Sequence, residues 1–150
     1  MRHRSLLILT AVLTTGALTL TACGSRDDSN GGGSGGDGGT TTVVIGLDAP
    51  LTGDLSALGL GIKNSADLAV KQANSKKYVE GVTFKLEALD DQAQPSSGQQ
   101  NASKLVANKD VLGVVGPLNS SVGESMQKVL ADAKLVQVSP ANTSPSLTQG

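Results

Sequence analysis

The sequence predicts an α/β fold built on a doubly wound parallel sheet with the strand order 2-1-3-4. Two runs of consecutive β-branched and apolar residues, at 42–47 and 111–115, are typical of strands that are buried on both faces of a sheet. Two helix-like segments, at 62–73 and 122–133, place apolar residues at the same successive spacings of four, three, one and three. Strands that alternate with helices in this way indicate βαβ units with right-handed crossovers, and therefore a parallel sheet.

The first strand is followed by a loop and a helix. The loop is predicted at 51–59 from its Thr-Gly-Asp turn, and the apolar stripe of the helix runs over 62–73. Gly59 and Gly61 lie between the two, but their spacing does not fit a phosphate-binding loop. We therefore interpret the two glycines as a flexible entry to the first helix.

The second strand, at 82–88, alternates apolar and polar side chains, which predicts one wetter face and a position at the edge of the sheet. Asp90 and Asp91 come directly after it. A metal site and an acid–base pair are both conceivable there, but adjacent carboxylates without further ligands nearby favour a solvated turn. The next helix is predicted to begin at Pro95 or Ser96.

The third strand is the apolar run at 111–115, and a short fourth strand is predicted at 135–138. An edge position for the second strand gives the order 2-1-3-4, which puts the switch point between the first and third strands. In open α/β sheets, ligands bind outside the carboxyl ends of the strands near such a point. The loops after these strands are therefore the place to look for a site.

Neutral hydrogen-bonding groups follow two neighbouring strands at their carboxyl ends. Leu118, Asn119, Ser120 and Ser121 follow the third strand, and Ser139, Ala141, Asn142 and Thr143 follow the fourth. Hydroxyls and the N–H groups at a helix N-terminus suit a carboxylate or another compact anion. Taken alone, each serine or threonine is more often a helix cap or a turn residue. Two such loops on adjacent strand ends favour binding.

Several kinds of chemistry are excluded by residues that the sequence lacks. His3 is the only histidine, and it lies in a segment that is predicted to be removed, so no Ser-His-Asp or Cys-His arrangement is available. No Walker loop and no G-x-S-x-G turn occurs. No basic stripe with interleaved aromatic residues supports nucleic-acid binding. We predict a binding protein without catalytic residues, metal ligands or a cofactor.

The N-terminus has the pattern of a lipoprotein signal peptide, at 1–22. A basic start and an uncharged, mostly apolar run lead to Leu20-Thr21-Ala22-Cys23, a lipobox in which Cys23 is the residue that is lipidated. An ordinary secretory signal with a chance cysteine is the alternative. Cleavage before Cys23 removes two arginines and leaves 10 basic and 13 acidic residues, a formal net charge of −3.

The predicted lipidated cysteine begins a flexible tether at 23–41. Its composition is dominated by glycine and serine, so it cannot bury enough apolar surface to offset the entropy of ordering the chain. A lipid anchor followed by such a tether predicts a folded part, at 42–150, that is held at the extracytoplasmic face of a cell membrane.

Four segments of 42–150 resemble the branched-chain amino acid binding proteins, the Leu/Ile/Val-binding family of ABC importers. They are 42–59, 89–91, 114–121 and 138–145. The most specific parts are a G-x-x-x-S-S loop and an S-P-A-x-T segment. The resemblance implies a type I periplasmic binding protein that closes two lobes on a small ligand and passes it to a membrane permease. Residues 42–150 would be an incomplete first lobe.

The resemblance also implies roles for particular residues. In this family, the positions that match Ser120 and Thr143 hold the α-carboxylate of the amino acid. The backbone at the positions of Leu118 and Ala141 adds contacts, the latter to the α-ammonium group. The expected ligand-binding set is completed by two neighbours in the same loops, Asn119 and Asn142.

Two departures from the family pattern leave the ligand open. Leu58 stands where an aromatic residue often lines the pocket, and Asn142 replaces a small residue. A branched-chain amino acid is therefore one option, and other amino acids, amides and related compounds remain open. A ligand-sensing receptor domain that feeds a signalling partner is an alternative to the importer. An envelope enzyme is disfavoured by the missing histidine and nucleophile.

The length of the chain also departs from the family pattern. Family members have a second lobe, which supplies an acidic partner for the ammonium group. This sequence stops at Gly150, before the first lobe is complete. We interpret it as a truncated product or a fragment, and we expect weak or no ligand binding by 42–150 alone.

Overall fold

A computed structural model describes residues 39–149 as strands and helices that alternate along the chain. The strands are β1 (Thr41–Ala49), β2 (Val82–Asp90), β3 (Val111–Val115) and β4 (Val136–Val138), and the helices are α1 (Ser56–Ser75), α2 (Pro95–Ala107) and α3 (Ser120–Asp132). A single 3₁₀ turn at Pro145–Leu147 follows β4. The predicted signal peptide, Cys23 and nearly all of the predicted tether lie outside the described residues.

All four strands pair in parallel, in the order β2-β1-β3-β4. This confirms the α/β fold class, the predicted strand order and the edge position of β2. Both apolar strands lie in the middle of the sheet, where helices cover the two faces, and this explains why their sequences are apolar at consecutive positions.

Helices α2 and α3 pack against each other on one face of the sheet, where they enclose the main core. Val44 and Val114 reach this core from the two central strands, and each is almost fully buried. The helices contribute large buried side chains: Leu105 from α2, and Met126 and Leu130 from α3. The predicted apolar stripe of the helix that follows β3 therefore faces the core.

Helix α1 covers the opposite face. Its stripe residue Val70 lies over Ile45, Phe84 and Val115, which belong to three neighbouring strands. Ile45 and Val115 directly follow Val44 and Val114 in sequence, and successive side chains of a strand point to opposite faces. The sheet is thus wound on both sides, as predicted.

The two outer strands of the described sheet differ in character. Val136 and Val138 of β4 are 65% and 61% exposed. At the other edge, β2 carries the charged residues Lys85, which is exposed, and Glu87, which is half-buried. The polar alternation predicted for the second strand is therefore the pattern of a charged edge.

The interpretation of Gly59 as a flexible helix entry is wrong. Helix α1 already begins at Ser56, inside the predicted loop, and Gly59 is buried in its first turn. A Cβ atom at Gly59 would lie 2.0 Å from the carbonyl oxygen of Pro50, which is too close for any side chain. Glycine is needed because the helix packs directly on the backbone that follows β1.

We expect Gly59→Ala to lower the free energy of unfolding by about 1–3 kcal/mol, since the backbone of Pro50 must move to admit a methyl group. Gly61→Ala is the matched control in the same helix. No atom lies within 4 Å of a Cβ at Gly61, so alanine should raise the free energy of unfolding by roughly 0.5–1 kcal/mol. Urea unfolding measures both changes. Equal effects of the two substitutions would contradict the close packing of α1 on Pro50.

Candidate functional site

The two predicted site loops lie side by side at the carboxyl ends of β3 and β4. Val115 is the register partner of Val138 in the parallel ladder. The ladder continues beyond β3, because the N–H of Gly116 donates to the carbonyl of Val138 at 2.9 Å. The side chain of Gln137 then donates to the carbonyl of Gly116 at 3.1 Å. The loop that starts at Gly116 is therefore held against β4 from its first residue.

Helix α3 begins at Ser120, immediately after this loop. The N–H groups of Val122 and Gly123 donate to the carbonyl of Asn119, at 3.2 and 3.0 Å. Among the described residues, the N–H groups of Ser120 and Ser121 have no acceptor. These two donors and the positive end of the helix dipole favour an anion at this point.

The Ser120 hydroxyl bridges the two loops. Its oxygen accepts hydrogen bonds from the N–H groups of Thr143, at 3.1 Å, and Ser144, at 3.2 Å. A hydroxyl oxygen has two lone pairs and one hydrogen, so both acceptor positions of Ser120 are occupied and its hydrogen remains to be donated. Donation into the hydroxyl also polarises the O–H bond. Ser120 is thus prepared to donate to an incoming oxygen atom.

Asn142 and Ser139 form a second set of links between the loops. The Asn142 side-chain amide donates to the carbonyls of Pro117, at 3.3 Å, and Leu118, at 3.0 Å. The Ser139 hydroxyl donates to the carbonyl of Pro117 at 2.9 Å and accepts from the backbone N–H of Asn142 at 2.9 Å. The conformation of the loop after β3 is therefore held by side chains from the segment after β4.

Thr143 and Ala141 are exposed beside these links, whereas Leu118 and Asn119 are half-buried. Within the described residues, no group donates to or accepts from the Thr143 hydroxyl, and no donor reaches the Ala141 carbonyl. The buried side-chain oxygen of Asn119 is likewise without a partner there. The structure brings all six predicted residues together at one edge, and Ser120 with Thr143 most directly.

An apolar groove of about 500 Å³ adjoins this edge on the α1 side. Leu58 and Ile62 of α1 form one wall, and Val115 and Pro140 form the other. Pro140 is the residue before Ala141, so the groove begins beside the predicted polar groups. Leu58 is 59% exposed there.

The interpretation of Asp91 as part of a solvated turn is wrong, because Asp91 is fully buried. Asp90 does lie in a turn, where it accepts hydrogen bonds from the N–H groups of Leu51, at 2.8 Å, and Gln92, at 3.0 Å. Burial raises the pKa of Asp90, but the hydrogen bonds from Thr52, Gln92 and Leu51 together lower it below its ordinary value.

Asp91 belongs to a buried polar cluster with Asp48 and Asn101, which the sequence analysis missed. Asp48 lies near the end of β1 and is also fully buried. The Asn101 amide donates to Asp48 Oδ1 at 2.7 Å and to the carbonyl of Asp90 at 3.0 Å. The signal in the sequence was Asn101, a polar residue in line with the apolar face of α2, opposite a carboxylate that ends an apolar strand.

We expect the two buried carboxyl groups to share one proton. Burial raises the pKa of Asp48 to about 8, and the neighbouring charge of Asp91 adds to the increase. Burial also raises the pKa of Asp91. Asp48 Oδ2 and Asp91 Oδ2 are buried, and no amide or hydroxyl donor from the described residues reaches either atom. A proton on Asp48 resolves this, because the protonated carboxyl group can donate to Asp91.

The cluster lies beside the loop that follows β3. Gly116 has a φ of 112°, and a Cβ at this position would lie 2.0 Å from the carbonyl oxygen of Asp48. The backbone of the site loop is thus seated on the backbone of Asp48. Among the described residues, no group of three or more histidine, cysteine, aspartate or glutamate side chains is arranged to hold a metal ion.

Residues 42–150 match the model of a protein family described as periplasmic binding protein. The Leu/Ile/Val-binding protein BraC3 of Rhizobium johnstonii is 40% identical over 105 residues, which are 70% of this chain and 28% of that protein. The Leu/Ile/Val-binding protein homolog 2 of Brucella abortus is 34% identical over 106 residues, 71% of this chain and 28% of that protein. The chain thus spans about 28% of the length of these relatives.

Solved structures give the same picture. The branched-chain amino acid transporter substrate binding protein LivJ from Streptococcus pneumoniae, in complex with isoleucine, aligns with a TM-score of 0.69 at 26% identity over 73% of this chain and 32% of LivJ. An ABC transporter substrate-binding protein from Desulfitobacterium hafniense, in complex with Leu, aligns with a TM-score of 0.63 at 30% identity over 73% of this chain and 31% of that one.

We expect the stability of the chain to fall as the pH rises from about 4 to about 8. Because the pKa of Asp48 is raised from 3.8 to about 8, its contribution is fully present below 3.8 and is lost as the pH approaches 8. The slope should be at most about 1.4 kcal/mol per pH unit for one proton. Asp90 acts in the opposite direction, and its contribution is lost only as the pH falls below 3.8.

Urea unfolding at several pH values checks this expectation. Asp48→Asn should flatten the dependence between pH 4 and pH 8, since the amide neither ionises nor needs the shared proton. Asp132→Asn is the control: this carboxylate forms an exposed ion pair with Lys128 and should leave the slope unchanged. A wild-type stability that is constant over this range would contradict the shared proton.

Proposed function

The chain belongs to the periplasmic binding protein family, and we propose that it captures a small amino-acid-like ligand outside the cytoplasm for an ABC importer. The ligand class that we propose is the branched-chain amino acids or related amides. The observation that carries this proposal is the Ser120 hydroxyl, whose oxygen accepts two backbone N–H groups and whose hydrogen is left to donate. Such a hydroxyl recognises a hydrogen-bond acceptor, and the carboxylate of an amino acid is one.

Four donors around Ser120 support a carboxylate in this place. They are the Ser120 hydroxyl, the N–H groups of Ser120 and Ser121, and the unpartnered Thr143 hydroxyl. The N-terminus of α3 adds a partial positive charge. A phosphate site usually contains lysine or arginine, and neither residue lies in either loop. A compact anion of single charge is the ligand that this arrangement suits best.

The α-ammonium group and the side chain of an amino acid also have matching groups at this edge of the sheet. The Ala141 carbonyl has no donor among the described residues, so it suits the α-ammonium group. The apolar groove between Leu58 and Pro140 suits an aliphatic side chain. The described residues would contact a ligand from one side only. We therefore propose a dissociation constant in the millimolar range for this chain.

An importer is favoured over a sensory receptor. The relatives that resemble this chain are described as Leu/Ile/Val-binding proteins and ABC transporter substrate-binding proteins. We accordingly propose an ABC permease as the partner. The six proposed residues include hydrogen-bond donors but no histidine and no carboxylate that could activate a nucleophile, which supports binding without catalysis.

We also propose that lipidation of Cys23 anchors the chain at the outer face of the cell membrane. The support is the lipobox in the sequence and the Gly/Ser-rich tether after it. The described helices are all too short or too polar to cross a membrane.

Titration of the ¹⁵N-labelled chain with leucine tests the proposed ligand class. We expect saturable shifts of the amide resonances of Ser120, Ser121 and Thr143, because these groups surround the carboxylate. Leucinol, which has the same side chain and ammonium group but no carboxylate, should cause no such shifts. Shifts of equal size with both compounds, or none with leucine, valine and isoleucine, would refute the proposal.

A pair of substitutions at Thr143 isolates its hydroxyl. Thr143→Val keeps the shape of the side chain and should weaken leucine binding about tenfold, since a hydrogen bond to a charged group is lost. Thr143→Ser keeps the hydroxyl and should bind within about twofold of wild type. The backbone N–H bond to Ser120 is unaffected in both variants. Equal affinities of the two variants would remove Thr143 from the site.

Expression of the 150-residue sequence in a bacterium tests the anchor. We expect the wild-type chain in the membrane fraction with its signal peptide removed and its cysteine lipidated, and Cys23→Ser without the lipid, because the thiol that carries it is absent. Labelling with a radioactive fatty acid should mark only the wild type. Fatty-acid label on the serine variant, or no label on the wild type, would exclude Cys23 as the anchor.

A further inference from the structure

We propose that Asn142 is a positioning residue, which does not touch the ligand but holds the loops after β3 and β4 in a fixed position relative to each other. The inference rests on the proposed function for the part that concerns ligand affinity. Its basis is a set of contacts that join Asn142 to the carbonyls of Pro117 and Leu118 and press its amide oxygen toward Gly123.

The side chain of Asn142 is directed into the protein rather than toward the exposed edge. Its amide nitrogen has two acceptors, the carbonyls of Pro117 and Leu118. The residue is half-buried, whereas its neighbours Ala141 and Thr143 are exposed. A side chain whose donors are already used by the protein has none left for a ligand. Asn142 therefore contributes through the backbone that it holds.

The two carbonyls that Asn142 holds precede the site groups directly. Leu118 is two residues before Ser120, and its carbonyl direction determines the course of the chain into α3. The next segment after Asn142 supplies the N–H groups of Thr143 and Ser144, which donate to the Ser120 hydroxyl. Asn142 thus links both partners of that contact, and its loss should disturb the orientation of the Ser120 hydroxyl.

Gly123 provides the space that this arrangement needs. It lies in the first turn of α3 and is buried. A Cβ at Gly123 would lie 2.5 Å from Asn142 Oδ1, and the other nearest atoms, Asn142 Cγ and Leu147 Cδ2, are 3.4 and 3.5 Å away. The oxygen of Asn142 is therefore the one group that excludes a side chain there. The Asn142 side chain cannot move aside without giving up its hydrogen bonds.

A double-mutant cycle tests the close packing of the Asn142 side chain on Gly123. The melting temperature is measured in the full 150-residue chain without ligand. Gly123→Ala should lower the melting temperature in the wild type, because the methyl group displaces the Asn142 amide. In the Asn142→Ala background, the same change should raise the melting temperature, because alanine favours a helix over glycine. A change of sign supports the proposal, and the same shift in both backgrounds overturns it.

Ligand affinity and amide exchange distinguish positioning from general stability. Asn142→Ala and the similarly sized Asn142→Asp should both weaken leucine binding about tenfold, the effect of about 1.4 kcal/mol that loss of the amide donors implies. Both should also speed hydrogen exchange of the Thr143 and Ser144 amides. Val111→Ala, a core change at the far end of β3, should lower stability with neither effect.

The outcomes separate the two proposals. If the wild type does not respond to leucine, the proposed function fails, while the ligand-free cycle still decides the role of Asn142. If Asn142→Ala leaves both leucine affinity and the exchange of Thr143 and Ser144 at wild-type values, the positioning role is overturned. If affinity falls while exchange is unchanged, Asn142 contacts the ligand directly, which also overturns it.

Discussion

The hydrogen bonds between the loops after β3 and β4 determine where the candidate ligand-binding groups lie. Backbone pairing continues one residue past β3, at Gly116, and side chains from the neighbouring segment take over from there. The carbonyls of 116–118 each accept from such a side chain, and the Ser120 hydroxyl closes the series. Irregular backbone next to a site would otherwise be mobile, so these hydrogen bonds preorganise the loops.

Sequence patterns predicted most of the fold, because the relevant forces are local or periodic. Apolar runs identified both central strands, the spacing of apolar residues identified the helices, and polar alternation placed β2 at the edge. The errors concern close contacts between distant residues. Gly59 packs on Pro50, and Asp91 is buried against Asp48. Neither contact leaves a repeating pattern in the sequence.

The position of the candidate site was predictable from the sequence, but its hydrogen bonds were not. Serine and threonine at the ends of adjacent parallel strands predicted a site for a carboxylate or another compact anion, and the structure brings those residues together. The hydrogen bonds that orient the Ser120 hydroxyl come from residues 23 and 24 positions away, so only the folded chain defines them. Asn142 carries polar groups that could bind a ligand, but in the folded chain its amide points to the carbonyl of Leu118.

The outer strands of the described sheet differ in their tendency to pair with another chain. An edge strand presents free N–H and carbonyl groups, and charged side chains discourage a second strand from docking on them. Lys85 and Glu87 protect β2 in this way, whereas β4 carries no charge and exposes Val136 and Val138. Aggregation of the isolated chain at high concentration would therefore start at β4, and a lysine on that strand is the simplest means of keeping it soluble.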